Sequence, residues 1–390
     1  MEALRIWTAA FLFLFCGMAG ASAAPGGNVS SAETEMAGRT DNILPKVTAR
    51  SAVVMEAVTG KVLYARDMKA RRFPASTTKA MTLIVALEKG NPKDIVTVSK
   101  HAEGTEGSTL WLEEGDRIPM EDLLYGIMMM SGNDATIAIA EHIAGDVESF
   151  ANMMTEKARE IGAADTYFVN PHGLPDDHHY TTAYDLALIA AYGYRNPLFV
   201  RIVETKEKSL PWIKDPAHLW RNENQMLWLY DGANGVKTGY TDVAGRCLVS
   251  GAKRNGIQLI SVVLDSLYMW SDSIAMLDYG FQHVRPARIV EGDVVVGKVP
   301  VLSGRGKRTS VATAAPILLP VGDDGEEEYQ KIYDLPGSLH APVEKGEIVG
   351  KLRVLYDGRE IAHTDLVAAE SVEMKSFFVS LYQFVRKYIA

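Results

Sequence analysis

The segment FPASTTKAMT, Phe73 to Thr82, places Ser76 and Lys79 three residues apart. If the segment is helical, residues i and i+3 share a face, and the serine hydroxyl lies within hydrogen-bond reach of the lysine amine. A plain helix start is the simpler interpretation, because Ser and Thr are favoured caps and the following run KAMTLIVALEKG is helical by composition. The pair alone is therefore weak evidence for a nucleophile and its base.

Two later triplets supply a context for this pair. Ser131-Gly132-Asn133 interrupts a helical pattern that runs from Met120 to Ile143, and Lys237-Thr238-Gly239 precedes a predicted hairpin. Each triplet has a plain structural interpretation, the first as a helix interruption and the second as a strand edge that tolerates glycine. In this order, however, the three motifs match the set of penicillin-binding proteins and class A β-lactamases, S-x-x-K with S-D-N and K-T-G.

On these motifs the chain resembles the serine-type D-alanyl-D-alanine carboxypeptidases, the low-molecular-mass penicillin-binding proteins. The resemblance runs from about Val47 to the C-terminus and includes the segments NPHGL and YDLA. Gly132 stands where the β-lactamase pattern has Asp, and Gly is common there in the carboxypeptidase group. The resemblance implies an enzyme that trims the terminal D-alanine from peptidoglycan stem peptides through an acyl-enzyme, with β-lactam antibiotics as covalent inhibitors.

The chemistry requires a base for the serine. A lysine can remove the hydroxyl proton only if its amine is partly neutral, and both burial and a nearby cation such as Lys237 lower a lysine pKa. We therefore predict Ser76 as the nucleophile and Lys79 as the base. The resemblance assigns Ser131 to a proton relay between the lysines and the leaving amine, and Asn133 to binding of the substrate's backbone amide.

The substrate of such an enzyme ends in a carboxylate, which needs a cation and a hydroxyl donor. Lys237 and Thr238 are predicted to supply them. If this segment is an exposed edge strand, an extended peptide can pair with it, and Gly239 lets the two backbones approach closely. The resemblance places the oxyanion hole at the backbone N–H groups of Ser76 and Tyr240.

Hairpin signals stand near both ends of this region and predict an α+β fold. Thr59-Gly60 separates two apolar runs in SAVVMEAVTGKVLYAR, and Asn255-Gly256 does the same in CLVSGAKRNGIQLISVVLD. Helical patterns are predicted at Thr77 to Lys89, Met120 to Ile143, Val147 to Ile161, Ala183 to Tyr192 and Tyr268 to Phe281. We expect both hairpins to share one antiparallel sheet, as in penicillin-binding proteins and β-lactamases. After Arg285, short alternating stretches predict a small all-β sandwich.

The chain is predicted to carry appendages at both ends. A basic residue, an apolar run and Ala21-Ser22-Ala23 are typical of a cleaved export signal, although an uncleaved membrane anchor is the alternative. The predicted organisation is a signal peptide at 1–23, a disordered leader at 24–45, a catalytic domain at 46–284, a β-sandwich at 285–371 and an amphipathic helix at 372–390. An export signal implies action at the outer face of the cytoplasmic membrane, in a periplasmic or extracytoplasmic space.

The terminal segment combines a large apolar face with a polar, basic one. Winding it at 100° per residue gathers one group of apolar residues, here called the terminal stripe: Met374, Phe377, Phe378, Leu381, Phe384, Val385, Tyr388 and Ile389. The opposite face carries Lys375, Arg386 and Lys387. These features favour a peripheral position on a membrane surface, with docking onto its own protein as the alternative.

Composition and spacing argue against several other functions. A net charge of −9 and the lack of a clustered basic surface argue against a nucleic-acid partner. The cluster HGLPDDHHY, His172 to Tyr180, lacks metal-ligand spacing and is predicted to be a loop beside the substrate cleft, so no metal and no cofactor are implied. After signal cleavage Cys247 is the only cysteine, and its apolar surroundings predict a buried, unreactive side chain.

Two rival functions stay open on sequence. A class A-like β-lactamase would need a glutamate for deacylation, but no E-x-x-L-N pattern occurs, and Glu156 and Glu160 fit the solvated face of a helix. A non-catalytic peptidoglycan-binding protein would not need the intact Ser76, Lys79 and Lys237. We therefore expect a D,D-carboxypeptidase.

Overall fold

The computed structural model describes residues 44–210, 219–323 and 329–376. Among these residues the α-helices are α1 Lys79–Lys89, α2 Met120–Met129, α3 Asn133–Ala144, α4 Val147–Ile161, α5 Ala183–Gly193, α6 Pro197–Val203, α7 Met226–Leu229 and α8 Met269–Gln282. The predicted signal peptide, nearly all of the leader, and the terminal stripe after Met374 lie outside the described residues.

The strands of the first domain are β1 Ser51–Glu56, β2 Val62–Arg66, β3 Ile95–Thr97, β4 Arg117–Pro119, β5 Glu207–Ser209, β6 Leu219–Arg221, β7 Ala233–Thr241, β8 Gly245–Arg254 and β9 Ile257–Ser266. Five of them form an antiparallel sheet with the order β2-β1-β9-β8-β7. Both predicted hairpins therefore share one sheet, and the α+β prediction is confirmed. At the second turn Asn255 and Gly256 have φ of 50° and 84°, the left-handed backbone that an Asn-Gly hairpin turn requires.

Strand β9 separates two apolar cores. Ile260, Val262 and Leu264 pack with the helices α1 to α6 on one face of the sheet. Leu259 and Val263 pack with α8 on the other face. Alternate side chains of a strand point to opposite faces, so a strand covered on both faces must be apolar at both sets of positions. This central, doubly buried sheet provides a rigid support for its edge strand β7.

Helix α4 has both ends set by local sequence. The side chain of Asp146 accepts a hydrogen bond from the Ser149 backbone N–H at 2.7 Å, which satisfies one free donor of the first turn. Gly162 follows the last turn with φ 96°, where a residue with a Cβ would be strained. The observed bounds, Val147–Ile161, match the prediction.

The regular elements of the second domain, in the part that the structure describes, are strands: β10 Val284–Val290, β11 Val295–Leu302, β12 Arg308–Thr313, β13 Ile317–Gly322, β14 Gln330–Asp334, β15 Leu339–His340, β16 Ile348–Tyr356 and β17 Arg359–Ala368. A six-stranded sheet, β14-β16-β17-β12-β11-β15, and the pair β10-β13 enclose a separate apolar cluster. The β-rich second domain is thus confirmed. Val372 is buried in this cluster and bridges to Val343, so the domain extends past the predicted boundary at 371.

Candidate active site

Ser76 lies in a short 3-10 helix, Ala75–Thr78, that leads directly into α1. Neither this turn nor α1 has a side-chain cap hydrogen bond. The interpretation of Ser76 as a helix cap is therefore wrong. Ala75 has φ 48°, an unfavourable conformation for a residue with a Cβ, and such strain concentrates at functional sites. The turn presents the Ser76 hydroxyl toward the lysine of the same motif.

Lys79 is fully buried and makes three hydrogen-bonding contacts. Its Nζ lies 3.1 Å from Ser76 Oγ, 2.7 Å from Asn133 Oδ1 and 2.9 Å from the His172 carbonyl oxygen. The amide and carbonyl oxygens can only accept hydrogen bonds, so they account for both N–H groups of a neutral amine. The remaining lone pair of that amine then faces Ser76, whose O–H can donate to it. This geometry suits a base that takes the serine proton.

The electrostatics of the site favour a neutral Lys79. Burial is the largest cause that lowers the pKa of Lys79 well below its ordinary 10.5, and the charge on Lys237 is the next. Burial also lowers the pKa of Lys237, but a Glu223 carboxylate oxygen 3.9 Å from its Nζ opposes this. Two neighbouring buried ammonium groups repel each other, so a protonated Lys237 favours the neutral form of Lys79. The Glu223 carboxylate acts in the opposite direction on both lysines.

The Ser131-Gly132-Asn133 triplet lies at the break between α2 and α3. Ser131 is buried with φ 65°, which prevents the chain from continuing as a single helix. Asn133 begins α3, and its Nδ2 donates to the Glu106 carbonyl at 2.6 Å while its Oδ1 accepts from Lys79. Asn133 thus orients the lysine, a contact that the sequence analysis did not predict.

Strand β7 carries the third motif along the sheet edge. Lys237 is buried and its Nζ donates to Thr238 Oγ1 at 3.3 Å. A Cβ at Gly239 would lie 2.8 Å from the Ser76 backbone nitrogen, so a larger residue would push β7 away from the 3-10 helix. Tyr240 is exposed and donates its hydroxyl proton to Asp242 at 3.0 Å. The first and third motifs are therefore in backbone contact.

The loop from His172 to Tyr180 packs against the turn that carries Ser76. Gly173 has φ 91°, and a Cβ there would lie 1.8 Å from the Ala75 carbonyl oxygen. Burial lowers the pKa of His172 to about 3 and that of His179 to about 4, so both rings are neutral at pH 7. Within the described residues, no three or more His, Cys, Asp or Glu side chains are placed to bind a metal ion. The loop's role here is to position Lys79 through the His172 carbonyl.

Asp134 is a residue that the sequence analysis missed. It is fully buried at the start of α3. Its carboxylate accepts hydrogen bonds from the Thr109 hydroxyl at 2.6 Å and from the backbone N–H groups of Leu110 and Leu112 at 2.9 and 3.1 Å. It therefore holds the loop before α2 over the Ser131 turn. An acidic residue directly after the Ser131 triplet was the available signal.

Glu223 was also missed, because no local pattern links it to Lys237. Its carboxylate raises the pKa values of both buried lysines. Replacing Glu223 with glutamine removes the charge that favours the protonated amines, so the pKa of Lys79 should fall further. We expect the rising acid limb of the kcat/KM profile to move to lower pH. The exposed Glu148→Gln variant is the control, and an unmoved limb in E223Q would contradict the assignment of that limb to Lys79.

Other candidate groups are accounted for by the structure. Glu156 and Glu160 are exposed on α4, which confirms their interpretation as a solvated face. Cys247 is buried in β8, and burial raises the pKa of its thiol to about 12. The buried position is as predicted, and a buried thiol with a raised pKa is a poor nucleophile.

Comparison with known proteins defines the family. Residues 38–267 match the family described as D-alanyl-D-alanine carboxypeptidase. This chain belongs to that family. Residues 286–374 match the family described as penicillin-binding protein 5, C-terminal domain. The carboxypeptidase family consists of serine hydrolases, so the chain is an enzyme of this class.

Individual relatives span most of the chain. D-alanyl-D-alanine carboxypeptidase DacF of Bacillus subtilis (strain 168) is 35% identical over 343 residues, covering 85% of this chain and 88% of the relative. DacA of Escherichia coli (strain K12) is 31% identical over 360 residues, covering 88% of each chain. The crystal structure of penicillin binding protein 5 from Haemophilus influenzae is similar with a TM-score of 0.61 and 30% identity, covering 85% of this chain and 99% of that one. The carboxypeptidase fold therefore extends through both domains.

Proposed function

We propose that this protein removes the terminal D-alanine from peptidoglycan stem peptides, with Ser76 as nucleophile and Lys79 as base. The observation that carries the proposal is the hydrogen-bond geometry of Lys79 Nζ. Two obligate acceptors, Asn133 Oδ1 at 2.7 Å and the His172 carbonyl at 2.9 Å, leave its lone pair for the Ser76 hydroxyl at 3.1 Å. Membership of the D-alanyl-D-alanine carboxypeptidase family supports the substrate class.

The reaction proceeds through an ester on Ser76. Its Oγ attacks the carbonyl carbon of the penultimate D-alanine while its proton passes to Lys79 Nζ. Backbone N–H groups of Ser76 and Tyr240 hold the developing oxyanion. The peptide C–N bond then breaks, and the departing D-alanine amine takes a proton through Ser131. Water hydrolyses the ester and regenerates the enzyme.

Lys237 and Thr238 bind the terminal carboxylate in this proposal. The Glu223 carboxylate, 3.9 Å from Lys237 Nζ, favours the charged form of this lysine, and the Thr238 hydroxyl lies next to that Nζ at 3.3 Å. The edge position of β7 allows an extended peptide to add as a strand. Asn133 contributes one remaining amide N–H, because its other N–H is bound to Glu106.

Replacing Thr238 with valine should remove one hydrogen bond to the substrate carboxylate with little change in shape. A hydrogen bond to a charged group contributes about 1.5–3 kcal/mol, so kcat/KM should fall roughly ten- to a hundredfold. A peptide with an amidated C-terminus is the control, since its turnover should hardly change. Equal losses on both peptides would show that Thr238 serves another purpose.

The decisive test of the proposed function uses purified muropeptides. Incubation of the enzyme with pentapeptide muropeptides should remove the mass of one alanine residue, measured by mass spectrometry. Rapid hydrolysis of benzylpenicillin, with no loss of alanine from the muropeptides, would instead favour a β-lactamase. Binding to peptidoglycan without either reaction would favour a non-catalytic protein.

We further propose that the enzyme acts outside the cytoplasmic membrane and is held there by the terminal stripe. No helix within residues 44–210, 219–323 or 329–376 is long and apolar enough to cross a membrane. Of the stripe, Met374 is described, and it is exposed and bridges to Gly304 of the second domain. The predicted export signal at 1–23 supports this location. We also propose the domain boundaries of the sequence analysis, with the second domain continuing to Met374.

Ending the chain after Ser376 is expected to release an active enzyme into the soluble fraction. Burying a large apolar side chain contributes about 1.5–3 kcal/mol. The truncation removes Phe377, Phe378, Phe384 and Tyr388, which would supply most of the free energy of a peripheral attachment. This end point keeps Val372, which is buried in the second domain. Fractionation and turnover of a small peptide measure the outcome. A truncated protein that still pellets with membranes would show that another segment makes the contact.

A further inference from the structure

A cavity of about 460 Å³ lies beyond the end of β7, outside the catalytic machinery. Its walls combine guanidinium groups with apolar and aromatic surface, from Arg50, Arg71, Arg72, Phe73, Tyr180 and Val243. Such a combination of apolar walls and a few placed polar groups is typical of a ligand site.

Arg72 is the cation in this cavity that remains available for a ligand. Arg50 pairs with Asp265 at 3.1 Å and Arg71 with Asp165 at 3.0 Å. Arg72 forms no salt bridge with any carboxylate of the described residues. Its Nε donates to the buried Ser51 hydroxyl at 3.1 Å, which leaves the N–H donors of both Nη atoms for another partner.

The backbone also holds Arg72 in place. Its N–H donates to the Thr181 carbonyl at 2.8 Å, and its carbonyl accepts from the Thr181 N–H at 3.0 Å. The residue is half-buried. Hydrogen bonds thus hold both the backbone and the Nε of Arg72. Its two Nη groups can therefore bind a carboxylate with little further loss of side-chain entropy.

The cavity adjoins the path of an extended substrate. Phe73 is three residues before Ser76, a separation of at most about 11 Å along the chain. Val243 follows the end of β7, and the Cys247 thiol contacts the backbone carbonyls of both Phe73 and Ala244 at 3.7 Å. A peptide that pairs with β7 and passes Tyr240 therefore arrives at this cavity after two or three residues.

We propose that this cavity binds a carboxylate on the substrate residue two or three positions to the amino-terminal side of the scissile bond, and that Arg72 is its ligand. The inference rests on the proposed function and adds a specificity site to it. Asp177 lines the rim without a salt bridge to any described cation and is exposed. Its charge repels an anion, so the carboxylate lies on the Arg72 side of the cavity.

The test compares peptides that end in D-alanyl-D-alanine and differ in one group. An acidic residue is placed second or third from the scissile bond, with its side chain either a free carboxylate or a carboxamide. At one of these positions the wild-type enzyme should prefer the acid peptide by roughly tenfold in kcat/KM. Arg72→Gln should reduce this ratio to about one, and Arg72→Lys should give an intermediate ratio because it keeps the charge but loses the fork.

Two further variants sharpen the result. Asp177→Asn should increase the acid-to-amide ratio, opposite in sign to R72Q. Arg195→Gln, which removes an arginine from a separate cavity, should leave the ratio as in wild type. Acylation by benzylpenicillin in each variant reports whether the nucleophile site is folded.

The outcomes separate this proposal from the proposed function. Equal wild-type rates on acid and amide peptides at both positions would overturn the carboxylate site alone. A preference that survives in R72Q, with normal penicillin acylation, would overturn the role of Arg72. Absence of alanine release from every peptide would overturn the proposed function and this inference with it.

Discussion

Replacing Ser76 with alanine is expected to abolish covalent labelling by benzylpenicillin and to lower turnover of D-alanyl-D-alanine peptides by at least about a thousandfold, because no acyl-enzyme can form. In the wild type the intact mass should rise by one penicillin. Peptide mapping should place the adduct between Arg72 and Lys79. Ser76 is the hydroxyl that faces Lys79 Nζ at 3.1 Å, so no other serine should take its place.

The matched control is Ser149→Ala, which removes an exposed hydroxyl at the first turn of α4. It should be labelled like the wild type. An adduct that maps elsewhere would contradict the assignment of Ser76. Release of hydrolysed drug should be slow, because neither Glu156 nor Glu160 lies in a setting that suits deacylation. Rapid release would contradict the assignment as a carboxypeptidase and favour a β-lactamase.

Replacing Lys79 with methionine should lower kcat/KM by about 10²–10⁴, the usual contribution of general base catalysis. In the wild type, activity should rise with pH as Lys79 loses its proton. The midpoint should lie well below 10.5, because burial and the Lys237 charge lower the pKa of Lys79. In K79M this acid limb should disappear, since the titrating group is gone. Rates on one peptide across pH measure both effects.

The same substitution should also affect stability. It leaves Asn133 Oδ1 and the His172 carbonyl without their donor, and an unsatisfied buried acceptor costs about 1–3 kcal/mol. A lower midpoint of denaturant unfolding is therefore expected in K79M. Lys100→Met, at an exposed lysine paired with Glu103, is the control for both readouts. An acid limb that persists unchanged in K79M would show that another group is the base.

Sequence alone determined the features that depend on near neighbours along the chain. The i, i+3 spacing of Ser76 and Lys79 brings hydroxyl and amine together within one turn. The Asn255-Gly256 hairpin follows from backbone preferences of these residues, and the Asp146 cap with Gly162 sets both ends of α4. The resemblance to carboxypeptidases rests on the order of three motifs along the sequence. The family comparison confirmed this resemblance.

Tertiary structure decided which groups surround the reactive amine. Asn133 and the His172 carbonyl are far from Lys79 in sequence, and Glu223 reaches Lys237 from the segment before α7, so no periodicity signals these contacts. The pKa of a buried lysine depends on desolvation and on charges within a few ångströms, and both are set by how the sheet and helices pack. Residue identity therefore determined the available chemistry, while the packing of distant segments determined the surroundings that lower the pKa of Lys79.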